Sequence, residues 1–485
     1  MRDFLAQWED RPGVYVKQDE AVSFTYSELN QIARTNAARL SGWNVRGENV
    51  ALLAPNSANW IVTYWSLIFA GAAVVPLSPG FTERELLALM KICDCRWIVC
   101  DERNGEKLSQ KIASGQLTIR NGELMVVTEP KSSTDQTEPT PAPVLCVTSG
   151  STGTAKAVML TDENLDANTL SHIDSLSLSS RDIVLITLPL HYSYAHTAQF
   201  LSHTRLGGTI VLYDRPIFSP RRFCQLIERH GVTVTSVVPT LIRILNNYRY
   251  LESHDLSSLR YLCCGGAPLE TGAVRSLMAR LPHTRFVHTY GLTEASPRVT
   301  TLPPETDLSR LPSIGKPVPG VEVRIVAQNG EPAASCEVGE LQVRGPNVMA
   351  GYYGSPEETQ VVINDGWLST GDLASADNDG YLYLAGRKKN IIISDGINVQ
   401  PEEIESVLLE HPLVSDAVIT GEYMPDAGEV IAAHVSLKNG DPLSLQHVHE
   451  FMRGKLAEWK WPRRLYLHPA MTRTETGKIR RSDVQ

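Results

Sequence analysis

The chain lacks most of what would place it outside the ordinary globular class. Its eight cysteines are scattered over 485 residues at irregular spacing. Met1-Arg-Asp-Phe opens on no secretory pattern, so the thiols are expected to be reduced and the protein cytoplasmic. Cys93, Cys95 and Cys100, or Cys263 with Cys264, have no fourth ligand at useful spacing, and buried apolar cysteine accounts for them better than a metal. A basic excess is missing too. There are 45 Lys and Arg against 54 Asp and Glu, a net charge of −9, and the basic residues are dispersed. That excludes a nucleic-acid footprint. One uncharged stretch, Trp60 to Leu77, has the length of a membrane span. Thr63, Ser66, Gly71 and Pro76 interrupt it and basic flanks are absent, which predicts a buried helix Asn59–Ala70, a short strand Ala72–Val75, and no membrane span.

What remains is a soluble composition, 42% hydrophobic and 20% charged, long enough for two to four domains. No internal repeat is visible. Helical patterns at Tyr26–Leu40, Ser57–Phe69 and Arg84–Ile92 alternate with strands at Val50–Leu53 and Trp97–Cys100. A second series follows at Ile183–Leu188, Thr209–Leu212, Phe223–His230, Val232–Val238 and Leu259–Cys264. Such alternation predicts parallel α/β sheets. Glu129–Pro143 is polar and proline-rich and reads as an exposed loop. From Ser313 to Ala385 the pieces Val321–Ile325, Glu340–Arg344 and Tyr381–Leu384 lie between Gly, Pro and Asn-Gly turns, as in a small antiparallel barrel. Asp377-Asn-Asp-Gly380 suggests a calcium loop, but Gly386 stands where the closing glutamate belongs, so a hairpin turn is expected. After Gly386 the last segment reads as a strand (Asn390–Ser394), a helix (Pro401–Leu409), strands Ala417–Thr420 and Val430–Leu437, and a helix (Leu445–Leu456).

The most distinctive stretch is Val147-Thr-Ser-Gly-Ser-Thr-Gly-Thr-Ala-Lys-Ala-Val158, entered from the apolar strand Val144–Val147 and followed by the helix-start pattern Leu160-Thr-Asp-Glu-Asn164. Glycines let backbone amides converge, hydroxyls add donors and Lys156 adds charge, the composition of a loop for phosphate oxygens. It is not a G-x-x-x-x-G-K-[ST] loop, since Ala155 and Ala157 stand in required positions, and S-G-S-T-G is not a G-x-S-x-G elbow. On composition alone, an ordinary mobile Ser/Gly loop explains it equally well.

Further stretches carry possible chemistry. His288-Thr-Tyr-Gly-Leu-Thr-Glu294 combines an aromatic face with a hydroxyl and a carboxylate; alone, it would be a strand end with a buried tyrosine. Cys264-Gly-Gly-Ala-Pro268 permits close backbone approach. Ser369-Thr-Gly-Asp-Leu373 and Gly386-Arg387 supply a carboxylate and a guanidinium, whose ordinary fate is a surface salt bridge. Asp395-Gly-Ile-Asn-Val-Gln-Pro-Glu-Glu-Ile-Glu405 and Thr472-Arg-Thr-Glu-Thr-Gly-Lys-Ile-Arg480 complete an ordered set.

Taken together, these motifs resemble the acyl-adenylate-forming superfamily of acyl-CoA synthetases, peptide-synthetase adenylation domains and beetle luciferases. The departures are Ala155 and Ala157 for Pro and Gly, Asp395-Gly396 for Gly-Gly or Lys-Gly, and Thr472 for Pro. The resemblance implies an α/β fold: a large N-terminal domain (1–386) of two stacked α/β subdomains plus a small β-barrel, and a small mobile α+β C-terminal domain (387–485). It implies ATP and Mg²⁺ as cofactors. Thr148, Ser149, Gly150, Ser151, Thr152, Gly153 and Lys156 would hold the nucleotide phosphates. Gly266, Ala267, Pro268, Thr289, Tyr290 and Gly291 would surround adenine, with Tyr290 stacked on it. Thr293 would bond the α-phosphate, Glu294 would hold Mg²⁺, Asp372 would take the ribose and Arg387 would lie beside it. Lys389 would be a hinge, and Lys478 the catalytic residue bridging carboxylate and phosphate as charge develops.

By the same resemblance, a small-molecule carboxylic acid becomes an acyl-adenylate and passes to a thiol, from coenzyme A or the phosphopantetheine of a separate carrier protein; the alternatives are an amide-forming ligase that passes it to an amine and a catalytically silent adenylate-binding homologue. No carrier sequence follows Arg480. Leu188-Pro-Leu-His-Tyr-Ser-Tyr-Ala-His196 resembles the acyl-pocket segment and carries no carboxylate for an α-amine, so a fatty or aromatic acid is expected. Tyr192, His196, Val238, Gly265 and Gly266 are the acyl-pocket candidates, and each is equally well explained as a core residue.

Overall fold

The computed structural model describes the chain except residues 1–3, 6, 9–13, 19–21, 82, 102–114, 121–122, 129–141, 149–154, 214, 216, 268, 305, 391, 395–396, 400, 425–427, 439–441, 454, 457, 475–478 and 485. Its backbone forms two compact units. One comprises Met1–Glu322 with Val343–Leu368, the other Val323–Gln342 with Ser369–Gln485.

The first unit holds two large sheets with helices, the expected α/β architecture. Its nine-stranded sheet runs in the order Lys316–Pro317, Thr300–Thr301, Arg285–Tyr290, Tyr261–Cys264, Val234–Val237, Ile183–Ile186, Thr209–Leu212, Val14–Gln18, Val22–Thr25. Neighbours from Arg285–Tyr290 to Val14–Gln18 are parallel, and both ends are finished by antiparallel strands. The eight-stranded sheet has the order Gly351–Tyr352, Lys156–Leu160, Val144–Thr148, Ala73–Leu77, Asn49–Leu53, Cys95–Asp101, Gly115–Arg120, Glu123–Thr128. Its centre is parallel and its two edges antiparallel.

The uncharged stretch resolves into a helix and a strand. Ser57 caps the helix Ala58–Ala70 by accepting from the Trp60 amide, and Gly71, at φ 82°, ends it in the left-handed region that favours glycine. Only Asn59 and Phe69 are partly exposed; every other residue of the helix is buried. It packs against strands of both sheets, which explains why it has no polar face. Among the described residues no helix is long and apolar enough to cross a membrane. Trp60 and Tyr64 stack at 5.4 Å between centroids, and Phe200 lies edge-on to Tyr64 at 5.2 Å.

One local expectation changes. Lys156 does not continue a loop into a helix; it begins the strand Lys156–Leu160, and Thr148 pairs with Lys156 across the base of a hairpin. The helix then starts at Asp162, with Thr161 and Asn164 forming a capping box. Cys93, Cys95, Cys100, Cys263 and Cys264 are buried as expected; Cys146 and Cys224 are buried too, and Cys336 is exposed.

In the second unit, Trp367–Ala376 and Leu382–Arg387 form an antiparallel hairpin. Its turn is the Asp377–Gly380 segment, where Asp377 Oδ1 accepts from the amides of Asp379 and Tyr381 at 3.0 and 2.9 Å. That is turn chemistry, not a cation loop. A three-stranded sheet, Val414–Met424, Gly428–Leu437 and Arg464–His468, packs its apolar face with Pro401–Leu409 and Leu445–Met452 around Ile404, Leu408, Ile431, Val448 and Met452.

Trp65, wholly buried and in contact with the rings of Tyr64 and Phe200, tests the shared core. Trp65→Ala should lower the unfolding free energy by about 3–5 kcal/mol, read from urea denaturation. A change under about 1 kcal/mol would show that the helix is not the common packing surface of the two sheets.

Candidate active site

In the first unit, the stretches singled out in the sequence meet at the C-terminal ends of strands. Strand Arg285–Tyr290 stops at Gly291, where a Cβ would sit 1.4 Å from the Pro297 carbonyl oxygen. Only glycine fits there. The tight helical turn Thr293–Ala295 follows and presents Thr293 and Glu294. The Tyr352 hydroxyl donates to Glu294 Oε1 at 3.0 Å. Burial and the adjacent carboxylate push the Tyr352 hydroxyl well above the ordinary tyrosine range, so it remains a donor.

Lys156 connects this turn to the strand pair Val144–Thr148 and Lys156–Leu160. Its Nζ lies 4.5 Å from the centroid of the Tyr352 ring and 2.5 Å from Glu358 Oε2. Thr148 and Lys156 thus stand at the hairpin base, with a cation, a phenol and a carboxylate in line from Lys156 to Glu294. Ser149, Gly150, Ser151, Thr152 and Gly153 lie outside the described residues, as does Pro268.

A second set of contacts ties in the segment expected to meet the acid. Ser193 Oγ and Thr293 Oγ1 are hydrogen-bonded at 2.9 Å, and Tyr194 Oη and Thr289 Oγ1 at 3.2 Å. The Thr289 hydroxyl also donates to the Cys264 carbonyl at 3.1 Å. A Cβ on Gly265 would approach the Thr289 carbonyl to 2.5 Å, so the strand ends touch backbone to backbone. Gly266 is exposed with φ 86°, Ala267 is partly exposed, and Tyr290 is 9% exposed. Tyr192 and Val238 are half-buried, Val238 at the start of the helix Pro239–Asn246.

His196 is placed otherwise. It is fully buried, its Nε2 hydrogen-bonded to the Tyr64 hydroxyl at 2.9 Å and its ring 5.1 Å from that of Tyr64. It is a core histidine in this structure, with no surface left for an acyl group. The π-helix Tyr194–Leu201 carries it there. No periodicity in the sequence announces that wider turn, a form frequent near functional sites. Tyr352 and Glu358 were missed for a different reason: they belong to no motif and reach Glu294 and Lys156 only through the fold.

In the second unit, Asp372 and Arg387 face each other across the hairpin, Oδ1 to Nε 2.7 Å. The carboxylate is buried, 8% exposed, while the guanidinium is 56% exposed, unlike a plain surface pair. Gly371 supplies a φ of 72° immediately before Asp372, and the Asp372 amide donates to Thr370 Oγ1 at 3.1 Å. Lys389 lies in the short turn Lys388–Asn390. Lys478, Asp395 and Gly396 lie outside the described residues. Among the described residues no cluster of three His, Cys, Asp or Glu side chains forms a metal site. The Glu294 carboxylate is a single hard oxygen donor, which would fit a Mg²⁺ that arrives already bound to phosphate.

The sequence matches the AMP-binding enzyme family over residues 1–353 and the AMP-binding enzyme C-terminal domain over residues 403–478. It is 33% identical over 471 residues to a feruloyl-CoA synthase from an Amycolatopsis species, covering 96% of this chain and 94% of that one. It is 32% identical over 474 residues to a 2-succinylbenzoate–CoA ligase from Geobacillus kaustophilus, covering 95% and 92%. Among solved structures, an o-succinylbenzoate coenzyme A synthetase from Bacillus subtilis in complex with ATP and magnesium ion superposes with a TM-score of 0.87 at 27% identity, covering 99% and 98%. An amide bond synthetase from Marinactinospora thermotolerans gives a TM-score of 0.86 at 28% identity, covering 100% and 98%.

Burial holds His196 near a pKa of about 3, and His203 and His288 near about 4, all depressed from 6.5. These groups are neutral in the fold and protonate more readily once unfolded. The stability they contribute is therefore complete above pH about 6.5 and is lost as pH falls toward 4. At pH about 5.5 each should cost about 1.4 kcal/mol, visible as a lower urea midpoint than at pH about 7.5. A midpoint unchanged over that interval would contradict their buried, neutral state.

Proposed function

The chain belongs to the AMP-binding enzyme family, and from that premise we propose how its residues divide the work. The enzyme is an AMP-forming acid–thiol ligase. A carboxylate oxygen attacks the α-phosphorus of ATP, the α–β phosphoanhydride bond breaks, and pyrophosphate leaves. The acyl-adenylate then holds a good leaving group, and a thiol sulfur displaces AMP. Positioning and charge neutralisation do most of this chemistry.

In our reading the hairpin Thr148–Lys156 receives the phosphates, Thr293 bonds the α-phosphate, and Tyr290 with Gly266, Ala267, Pro268, Thr289 and Gly291 surrounds adenine. Asp372 takes the ribose hydroxyls with Arg387 beside it. Lys478 comes to the reacting carboxylate, and Lys389 is the pivot of the 387–485 segment. Glu294 is the protein ligand for Mg²⁺, which when bound withdraws charge from the phosphates. Tyr192, Val238, Gly265 and Gly266 line the acid. The observation that carries this reading is the line Lys156–Tyr352–Glu294, because it couples the hairpin to the only carboxylate of the His288–Glu294 turn. The contacts Ser193–Thr293 and Tyr194–Thr289 support an acid bound next to the nucleotide.

Coenzyme A is the proposed acceptor, ahead of a separate carrier protein's phosphopantetheine, and the proposed compartment is the cytoplasm. The likeness to an amide bond synthetase favours a second reading, transfer to an amine.

Three measurements test these assignments. Lys478→Ala should abolish acid-dependent pyrophosphate exchange yet still consume a supplied acyl-adenylate; equal survival of both steps refutes its role. Tyr352→Phe frees Glu294 from its donor, and the Mg²⁺ concentration for half-maximal exchange should shift several-fold, with no shift counting against Glu294 as ligand. Offered coenzyme A, a holo carrier protein or a primary amine, the enzyme should release AMP fastest with coenzyme A; a faster amine would establish the amide-forming reading.

A further inference from the structure

Arg298, seven residues after the catalytic turn begins at Gly291, is a buried cation without a counter-ion among the described residues. Its residue is 2% exposed, and its Nε and Nη2 have no hydrogen-bond partner. Among the described residues, no carboxylate pairs with it. The main chain is fixed in place: the Asn168 side chain donates to the Arg298 carbonyl at 2.8 Å and accepts from its amide at 3.3 Å. The guanidinium carbon lies 5.3 Å from the centroid of the Tyr194 ring. Tyr194 in turn is bonded to Thr289, against which Gly265 packs. His172, also buried, leaves its Nδ1 unpartnered and is kept neutral by burial and by the nearby Arg298 charge.

A guanidinium stays charged in proteins and cannot relieve burial by releasing its proton. Left without an anion it is among the most unfavourable groups to bury. The two vacant nitrogens are also the ones that lie side by side along one edge of the guanidinium. Their N–H bonds are parallel and match the two oxygens of a carboxylate. Among the described residues nothing satisfies either of them.

We propose that Arg298 anchors a second carboxylate, so that the acid activated here is a dicarboxylate: one end is presented for adenylation and the other is held by Nε and Nη2 of Arg298 behind Tyr194. This rests on the reading of the chain as an acid-activating ligase and names the substrate class for its acyl site. Tyr194 is partly exposed and opens the π-helix Tyr194–Leu201. Its ring covers the guanidinium in this structure and turns aside to admit the distal carboxylate. The apolar Tyr192 and Val238 then flank the linker between the two ends. A site that gives hydrogen bonds to a substrate group rejects the analogue lacking it far more strongly than an apolar pocket rejects a missing methylene.

The test is pyrophosphate exchange with aliphatic and aromatic dicarboxylates, each beside its half-amide. At least one dicarboxylate should exceed its half-amide by about 100-fold in kcat/KM. Arg298→Met should reduce that ratio to near one, mainly through KM, and Arg298→Lys should leave it intermediate. Half-amides as good as the parent dicarboxylates would overturn the proposal. So would Arg298→Met lowering both by the same factor, since the arginine would then serve the reacting carboxylate or packing alone. Should Arg298→Met fail to fold, thermal shifts of the unaltered protein decide: the preferred dicarboxylate must raise Tm more than its half-amide, and equal shifts refute the anchor. If neither acids nor diacids support exchange, the ligase reading itself falls, a result distinct from loss of the diacid preference.

Discussion

The arrangement depends on one helix that has nowhere to put water. Ala58–Ala70 carries no charge, and the hydroxyls of Thr63 and Ser66 fold back onto its own carbonyls, so it is covered on nearly every side. The two sheets of the first unit and the helix Tyr26–Ser41 do this together. Tyr64 passes the constraint on: it contacts His196 and Phe200 of the π-helix, whose first residue, Tyr194, reaches Thr289. The segment proposed to receive the acid is therefore positioned by the same aromatic core that joins the sheets. A packing requirement some distance from the chemistry fixes where the chemistry can occur.

Much of the fold was legible because its signals are local. Pro401–Leu409 and Thr209–Leu212 fall where their patterns put them, and the membrane-length run divides at Gly71, whose positive φ ends the helix. The parallel sheet centres follow from alternation, since βαβ units leave few other choices. The antiparallel edges do not: Lys156–Leu160 pairs antiparallel with Val144–Thr148, and composition alone cannot separate two paired strands from a strand and a loop leading to a helix.

Site residues divide along the same line. Gly265 and Gly291 announce themselves, because a missing side chain in a short motif signals close backbone approach. Glu294 and Asp372 were found through motifs. His196 looked like a pocket residue, but desolvation and the Tyr64 bond make it part of the core. Tyr352, Glu358 and Arg298 carry no local signal at all. Their significance is a matter of partners: a tyrosine that has a carboxylate, a glutamate that has a lysine, and an arginine that, among the described residues, has no counter-ion.

The Lys156–Glu358 pair has one more implication. The lysine proposed to meet phosphate is already occupied, at 2.5 Å, by a carboxylate that is itself 52% exposed. An incoming anion must exchange places with Glu358, and a half-solvated glutamate can retreat to water at little cost. Such a swap favours ligands in proportion to their charge. A triphosphate would evict the glutamate readily, whereas a nucleoside monophosphate would compete poorly, so the resident carboxylate would act as an internal competitor that helps clear the spent nucleotide after each turnover.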